Sequence, residues 1–173
     1  MIGYIAFALF ALTVPAANWL IGNVGTYCIP QGPCVIPVGF GFDAPSGVLV
    51  VGAALVLRDI VHEKLGALWA LAAILLGAVL SAFFAAPALL LASTAAFLLA
   101  ELADFAVYAP LRKKNLTAAV LASGLAGAVI DSAVFLWLAF GSLAFIEGQI
   151  IGKLWMSLAA AIVLLATRRL VRA

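Results

Sequence analysis

Six long apolar stretches occupy most of this 173-residue chain and limit the folds open to it. A helix needs about 20 apolar residues to cross the hydrocarbon core of a bilayer. Windows of that kind cover residues 2–21, 44–65, 67–84, 87–109, 117–140 and 148–167. Because 68% of the residues are hydrophobic and only 9% are charged, the chain has too little polar surface for a soluble domain. We therefore predict an all-α integral membrane protein, with six transmembrane helices in a single domain over residues 1–173.

The basic residues outside the hydrophobic interiors predict the topology. They lie at Lys64, at residues 112–114 and at residues 168–172, and Lys and Arg are enriched in cytoplasmic loops. Six crossings with the N and C termini in the cytoplasm place all three groups on that side, in a bacterial inner membrane. The net charge of +2 comes from these loops and indicates no nucleic-acid partner. The first stretch contains TVPAA, which resembles a signal-peptide cleavage site, but without a positive n-region we expect it to remain a span.

The longest connection, over residues 22–43, lies on the outer side in this topology. Its Gly and Pro content excludes a continuous helix, yet it is partly apolar. We therefore predict a partly re-entrant segment, or a lid, between the first two helices. Cys28 and Cys34 lie in this loop and face an oxidising compartment, so they are candidates for a disulfide, with two free thiols as the alternative. Neither has metal-ligand spacing, and we expect no metal and no cofactor.

The second and fourth spans contain charged residues, which are unfavourable at bilayer depth and therefore indicate a specific role. An ionisable side chain at bilayer depth costs about 3 kcal/mol or more unless it is paired or faces water, and the usual reason is a substrate or ion pathway. At about 1.5 Å per residue, Arg58 and Asp59 lie roughly 10 Å above the cytoplasmic end of the second span, and Glu101 of the fourth span lies at a similar depth. We predict that Arg58 and Glu101 form an ion pair, and that Arg58, Asp59 and Glu101 serve charge pairing or coupling inside the bundle. A pair that only fixes helix register is the alternative.

One face of the fourth span carries the densest set of polar and aromatic residues. Thr94, Phe97, Glu101, Asp104 and Tyr108 recur at intervals of three or four, which places them on a single helix face. Two carboxylates on one stripe would be unfavourable against lipid, so this face should line the interior. Phe97, Glu101 and Asp104 are therefore candidate substrate-binding residues.

The fifth and sixth spans carry a second polar constellation. Ser123, Gly127 and Asp131 share a face, although the small residues are equally typical of a helix-packing seam. Lys153 lies in the sixth span at a depth comparable to that of Asp131, and Gln149 lies one turn before it. We predict that Asp131 and Lys153 meet in the outer half of the bundle and border a ligand cavity. Asp131, Lys153 and Gln149 are thus further candidates for substrate binding.

The interior charges do not balance. Two bases face four acids, namely Arg58 and Lys153 against Asp59, Glu101, Asp104 and Asp131. Either a carboxylate is protonated, or a cation or a donor-rich ligand completes the site.

Four segments of the chain resemble the VUT family of vitamin uptake transporters, which includes the queuosine-precursor transporters. The segments, at residues 37–66, 92–114, 123–141 and 148–153, read PVGFGFDAPSGVLVVGAALVLRDIVHEKLG, ASTAAFLLAELADFAVYAPLRKK, SGLAGAVIDSAVFLWLAFG and GQIIGK. The resemblance extends from about residue 37 to residue 153. It implies import of a deazaguanine base for tRNA modification, or of a related small heterocycle.

The implied ligand suits the candidate residues. A guanine-like edge presents two parallel N–H donors, which a carboxylate of Glu101, Asp104 or Asp131 accepts as a pair. The flat ring would stack on an aromatic side chain such as Phe97 or Trp137. An aminomethyl derivative would add a positive charge, which would suit the excess of acids.

Several function classes remain open from the sequence. The first is a self-sufficient carrier, with proton coupling through one of the carboxylates. The second is a vitamin-type substrate-binding subunit of an ATP-driven transporter. We expect no enzyme, because no GxGD motif accompanies Asp104 or Asp131 and no second His follows His62 at metalloprotease spacing. A small structural or assembly protein would have little use for so many buried acids, and a homo-oligomer is left open.

Overall fold

The computed structural model describes residues 1–84, 87–111 and 114–172. Within these ranges the chain forms six helices and three short strands. The helices are α1 (Ile2–Asn23), α2 (Val48–Leu65), α3 (Ala67–Phe84), α4 (Pro87–Leu111), α5 (Leu116–Phe140) and α6 (Ile146–Arg172). By length and hydropathy, Ile2–Asn23 and Ala122–Phe140 qualify as candidate membrane spans, and Ala67–Gly77 and Leu89–Ala100 are shorter apolar helices.

The helix ends follow local sequence signals. Asn115 caps α5, because its side-chain oxygen accepts a hydrogen bond of 3.0 Å from the backbone N–H of Ala118. Gly141 ends the same helix in the left-handed conformation, with φ of 66°, which glycine adopts without steric cost. Gly66, with φ of 93° and ψ of 173°, separates α2 from α3 in a different positive-φ conformation, which glycine also adopts without a side-chain clash.

The bundle packs through small residues and presents large apolar ones outward. Helix α1 packs against α2 and α3, α2 against α6, and α4 along α5. Ala73 and Ala92 are fully buried, whereas Leu68 and Phe83 are 81% and 79% exposed. Close helix packing through small side chains, with bulky apolar side chains outside, is typical of proteins surrounded by lipid.

The outer connection forms a sheet, which departs from the all-α expectation. Strands β1 (Tyr27–Cys28), β2 (Cys34–Gly39) and β3 (Phe42–Pro45) pair antiparallel in that order. A disulfide joins Cys28 to Cys34, which face each other in the β1–β2 register. Residues 39–41 turn the chain between β2 and β3 with positive φ throughout, and glycine at two of these three positions permits the turn. Short strands between Gly-rich turns carry a weaker sequence signal than a helix, and the sheet is therefore visible only in the structure.

The hairpin formed by β2 and β3 lies along the first turns of α6. Gly148 sits so close to the backbone carbonyl of Asp43 that a Cβ there would clash with it. One turn on, a Cβ at Gly152 would lie 2.8 Å from the Val48 side chain. The indole N–H of Trp155 then donates a 2.8 Å hydrogen bond to the carbonyl of Val38. The hairpin tip therefore points along α6, away from the start of that helix.

Candidate functional site

A cavity of about 150 Å³ lies among all six helices. Its lining is mainly apolar and aromatic with a few polar side chains, as is usual for small-molecule sites. The lining residues include Phe10, Thr13, Val14, Ala17, Asn18, Ile21, Gly47, Val48, Val51, Ala54, Leu55, Ile74, Gly77, Ser93, Thr94, Phe97, Asp131, Phe135 and Gln149. Three of the residues singled out for substrate binding, Phe97, Asp131 and Gln149, thus share one cavity.

The ion pair expected between α5 and α6 is present. The ammonium group of Lys153 donates hydrogen bonds to Asp131 Oδ2 and, at 2.7 Å, to Ser132 Oγ. Lys153 and Asp131 are 2% and 8% exposed. Asp131 reaches the cavity wall, whereas Lys153 is not among the lining residues described. Lys153 therefore lies behind Asp131, not at the cavity border where the sequence placed it.

Gln149 occupies the first turns of α6 and faces the same cavity. It is 3% exposed, and over the described part of the chain its side-chain amide has no hydrogen-bond partner, while its backbone N–H donates to the carbonyl of Phe145. A buried amide usually finds a partner. The cavity is where a partner for the Gln149 amide can bind.

The aromatic walls come from three helices. Phe10 of α1, Phe97 of α4 and Phe135 of α5 all line the cavity. Trp137, considered from the sequence as a stacking platform, is 61% exposed and is not among these wall residues. Phe97 thus lies in the cavity wall together with Phe10 and Phe135, and its role in stacking on a ligand stays a prediction.

Arg58 lies behind the Phe97 wall. Its guanidinium carbon is 5.6 Å from the centroid of the Phe97 ring, within the range of a cation–π contact. Arg58 Nε also lies 3.2 Å from Asp59 Oδ1, and the two side chains are 15% and 67% exposed. Asp59 is therefore on the surface of the bundle, where we had expected it inside. Adjacent residues on a helix point about 100° apart, so the inward position of Arg58 turns Asp59 outward.

The two acids of the fourth helix fall outside the described side chains. Helix α4 includes Glu101 and Asp104, but their side chains are not among those that the structure describes. The pair between Arg58 and Glu101 stays a prediction, as do the ligand contacts of Glu101 and Asp104.

Other parts of the site carried little signal in the sequence. Thr13 and Asn18 of α1 line the cavity, and each also bonds its own helix, through the carbonyls of Phe10 and Val14. Ser132, the second acceptor for Lys153, follows Asp131 directly and so lies off the stripe that marked α5. No periodicity indicates such a residue.

The outer loop holds a separate polar contact. The Tyr27 hydroxyl donates a 3.0 Å hydrogen bond to Asp43 Oδ2. This hydrogen bond to a carboxylate raises the pKa of Tyr27 above its ordinary value, because the protonated phenol is the form that donates. Within the described residues, no cluster of His, Cys, Asp and Glu has the composition to hold a metal ion.

Comparison with known proteins adds one finding. Residues 81–168 match the model of the family described as "Putative vitamin uptake transporter". No curated protein and no solved structure matches the chain. The family description is of an uptake transporter, which is not an enzyme class, and it agrees with a membrane protein that handles a small molecule. The match covers just over half of the chain, including Phe97, Asp131, Gln149 and Lys153, and the chain belongs to this vitamin uptake transporter family.

Proposed function

We propose that this protein imports a small planar heterocycle across the membrane, with a deazaguanine base as the leading candidate. The observation that carries the proposal is one aromatic cavity with both a buried carboxylate and a buried amide in its wall. An engineered cavity of about 150 Å³ in another protein holds benzene, so this cavity has room for at least one flat ring. Phe97 and Phe135 supply surfaces on which such a ring would stack.

The polar groups suit a ligand that presents hydrogen-bond donors along one edge. Asp131 Oδ2 accepts from Lys153, which leaves Oδ1 for a ligand N–H. The Gln149 amide offers both a donor and an acceptor, so it would pair with a cyclic amide. A guanine-like edge presents this combination.

We also propose that all six helices cross the bilayer, with both termini in the cytoplasm. The hairpin tip would then enter the membrane, because it contacts Trp155 of α6. Trp155 lies about 13 Å along that helix from Ile146. The stacking of Phe40 on Trp155, with the two rings within 10° of parallel, gives the tip an apolar docking point.

Glu101 and Asp104 would complete the cytoplasmic side of the site. We propose that Asp104 contacts the ligand and that one of the carboxylates couples transport to protons. Losing a charged hydrogen bond costs roughly 1.5 to 3 kcal/mol, more than tenfold in affinity. Asp104→Asn should therefore weaken binding of a deazaguanine without unfolding the protein. Unchanged affinity in a calorimetric titration, with intact thermal stability, would remove Asp104 from the site.

Uptake by the purified protein in liposomes tests the proposed function. We expect labelled deazaguanine to accumulate without ATP when a proton gradient is applied. Asp131→Asn should abolish most of this uptake, whereas Glu147→Gln, which neutralises an exposed acid in the first turn of α6, should not change it.

The same assay separates two kinds of transporter. Binding without uptake, restored only by a separate ATPase module, would identify the protein as a substrate-binding subunit of an ATP-driven system. A protein that neither binds nor transports the base would contradict the proposal.

A further inference from the structure

The described lining of the cavity contains one ionisable residue, Asp131. Its carboxylate is already neutralised, because Lys153 lies behind it at 2% exposure and donates to Oδ2. Ser132 Oγ takes a second hydrogen bond from the same ammonium group. The ammonium group is therefore fixed in place by two partners, and the pair presents no net charge to the cavity.

A ligand bound at Asp131 experiences the electrostatic field of both the Asp131 carboxylate and the Lys153 ammonium group. Because Lys153 is 2% exposed, solvent screens its charge little. A cationic ligand on the carboxylate would be held close to this second positive charge, and juxtaposed like charges are costly in a desolvated site. An uncharged ligand N–H can bond Asp131 Oδ1 without this repulsion.

We infer that Lys153 sets the charge preference of the cavity, because it lowers the affinity for a cationic ligand relative to an uncharged ligand of the same shape. The inference rests on the proposed function, since it assumes that the cavity is the ligand site. It opposes the effect, expected from the excess of acids in the sequence, that a positive charge on the ligand would be favourable. Lys153 acts through Asp131 and is a positioning residue that need not touch the ligand.

A matched pair of ligands tests this inference. The affinities of an uncharged deazaguanine base and of its positively charged aminomethyl derivative are measured by calorimetric titration of the purified full-length protein. Lys153→Arg should retain the wild-type ratio of the two affinities, because the positive charge stays. Lys153→Met should shift the ratio of affinities by about tenfold toward the cation, because an ionised Asp131 then meets the ligand without a positive charge behind it.

The ratio of the two affinities separates this role from a structural one. A loss of folded protein in Lys153→Met lowers the binding of both ligands and leaves their ratio unchanged. An unchanged ratio in folded Lys153→Met would overturn the inference while leaving the proposed function standing. Failure of the wild-type protein to bind either ligand would overturn both.

A double variant keeps the test decisive if Lys153→Met does not fold. Asp131→Asn combined with Lys153→Met removes both charges, a change that buried pairs often tolerate. We expect this variant to bind the uncharged base more than tenfold less tightly, because the charge-assisted hydrogen bond is lost. Wild-type affinity for that base would show that the pair has no part in recognition, and the inference would fall.

Discussion

Asp131 and Gln149 face the same cavity but differ in the hydrogen-bond partners of their side chains. Asp131 has an ammonium group as a partner, whereas the Gln149 side chain has none over the part of the chain that the structure describes. The Gln149 amide opens onto the cavity, where a ligand with a donor and an acceptor would pair with it.

Gln149→Leu should therefore separate binding from stability. We expect ligand affinity to fall by about two- to tenfold, the value of one neutral hydrogen bond. Thermal stability should be unchanged or higher, because Gln149 gives up no side-chain hydrogen bond to the described residues and the leucine adds apolar surface at the cavity wall. Ser157→Leu, at an exposed position of the same helix, is the control and should change neither quantity. A lower melting temperature with unchanged affinity would instead make Gln149 a structural residue.

Arg58 and Glu101 allow a test of the pairing inferred from helix depth. Removing one partner of a buried pair costs about 3 to 5 kcal/mol, because a charge is left without compensation. Arg58→Ala and Glu101→Ala should each lower the thermal stability markedly, and the double variant should lose much less than the sum of the two. Strictly additive losses in this double-mutant cycle would show that the two side chains do not interact.

The sequence predicts which charged residues form an ion pair better than it predicts the direction in which each side chain points. Asp131 and Lys153 could be paired from their depth and opposite charge, since few charges are available at that level. That Lys153 lies behind Asp131 depends on side-chain directions, which spacing does not give. Trp137 comes six residues after Asp131 and so lies about 120° around the helix from it. This offset explains why Trp137 faces outward.

The β2–β3 hairpin and α6 form one unit at the element scale. Gly148 and Gly152 are four residues apart, the spacing of a small-residue packing face, but here that face receives a hairpin. Apolar contacts among Val38, Ala44 and Val48 close the unit. The hairpin can therefore dock against α6 only because positions 148 and 152 are glycines, which have no side chain.

Gly148→Ala should displace the hairpin, because the new Cβ would overlap the carbonyl of Asp43. We expect faster proteolysis of the outer loop and a lower melting temperature. Gly124→Ala is the matched control, since a Cβ at Gly124 of α5 meets nothing within 4 Å. If the two variants behave alike, the hairpin does not rely on close contact at Gly148.

The helices could be predicted from the sequence and the sheet could not. The six apolar windows overlap the six helices of the described chain, because hydrophobic length dominates at that scale. The sheet pairs strands of two, six and four residues. Its register depends on turn geometry and on the Cys28–Cys34 link, and neither follows from composition.

Sidedness is a property of the whole molecule, and single cysteines test it. Ser142→Cys lies between α5 and α6, and Lys114→Cys lies between α4 and α5. In intact cells, a membrane-impermeant thiol reagent should label Ser142→Cys and reach Lys114→Cys only after permeabilisation. The native cysteines are joined in a disulfide and should not react. Labelling of both variants from outside would overturn the proposed topology.

The Asp131–Lys153 pair joins two consecutive helices, and this bears on how the chain enters the bilayer. On insertion scales, a single Asp or Lys near the centre of a helix opposes its partition into lipid by roughly 2.5 to 3.5 kcal/mol. Helices α5 and α6 each carry such a residue, and each supplies the partner for the other. Leaving the translocon together as a helical hairpin, α5 and α6 would enter the lipid with the two charges already matched. Neither helix would then need a charged partner from α1 to α4.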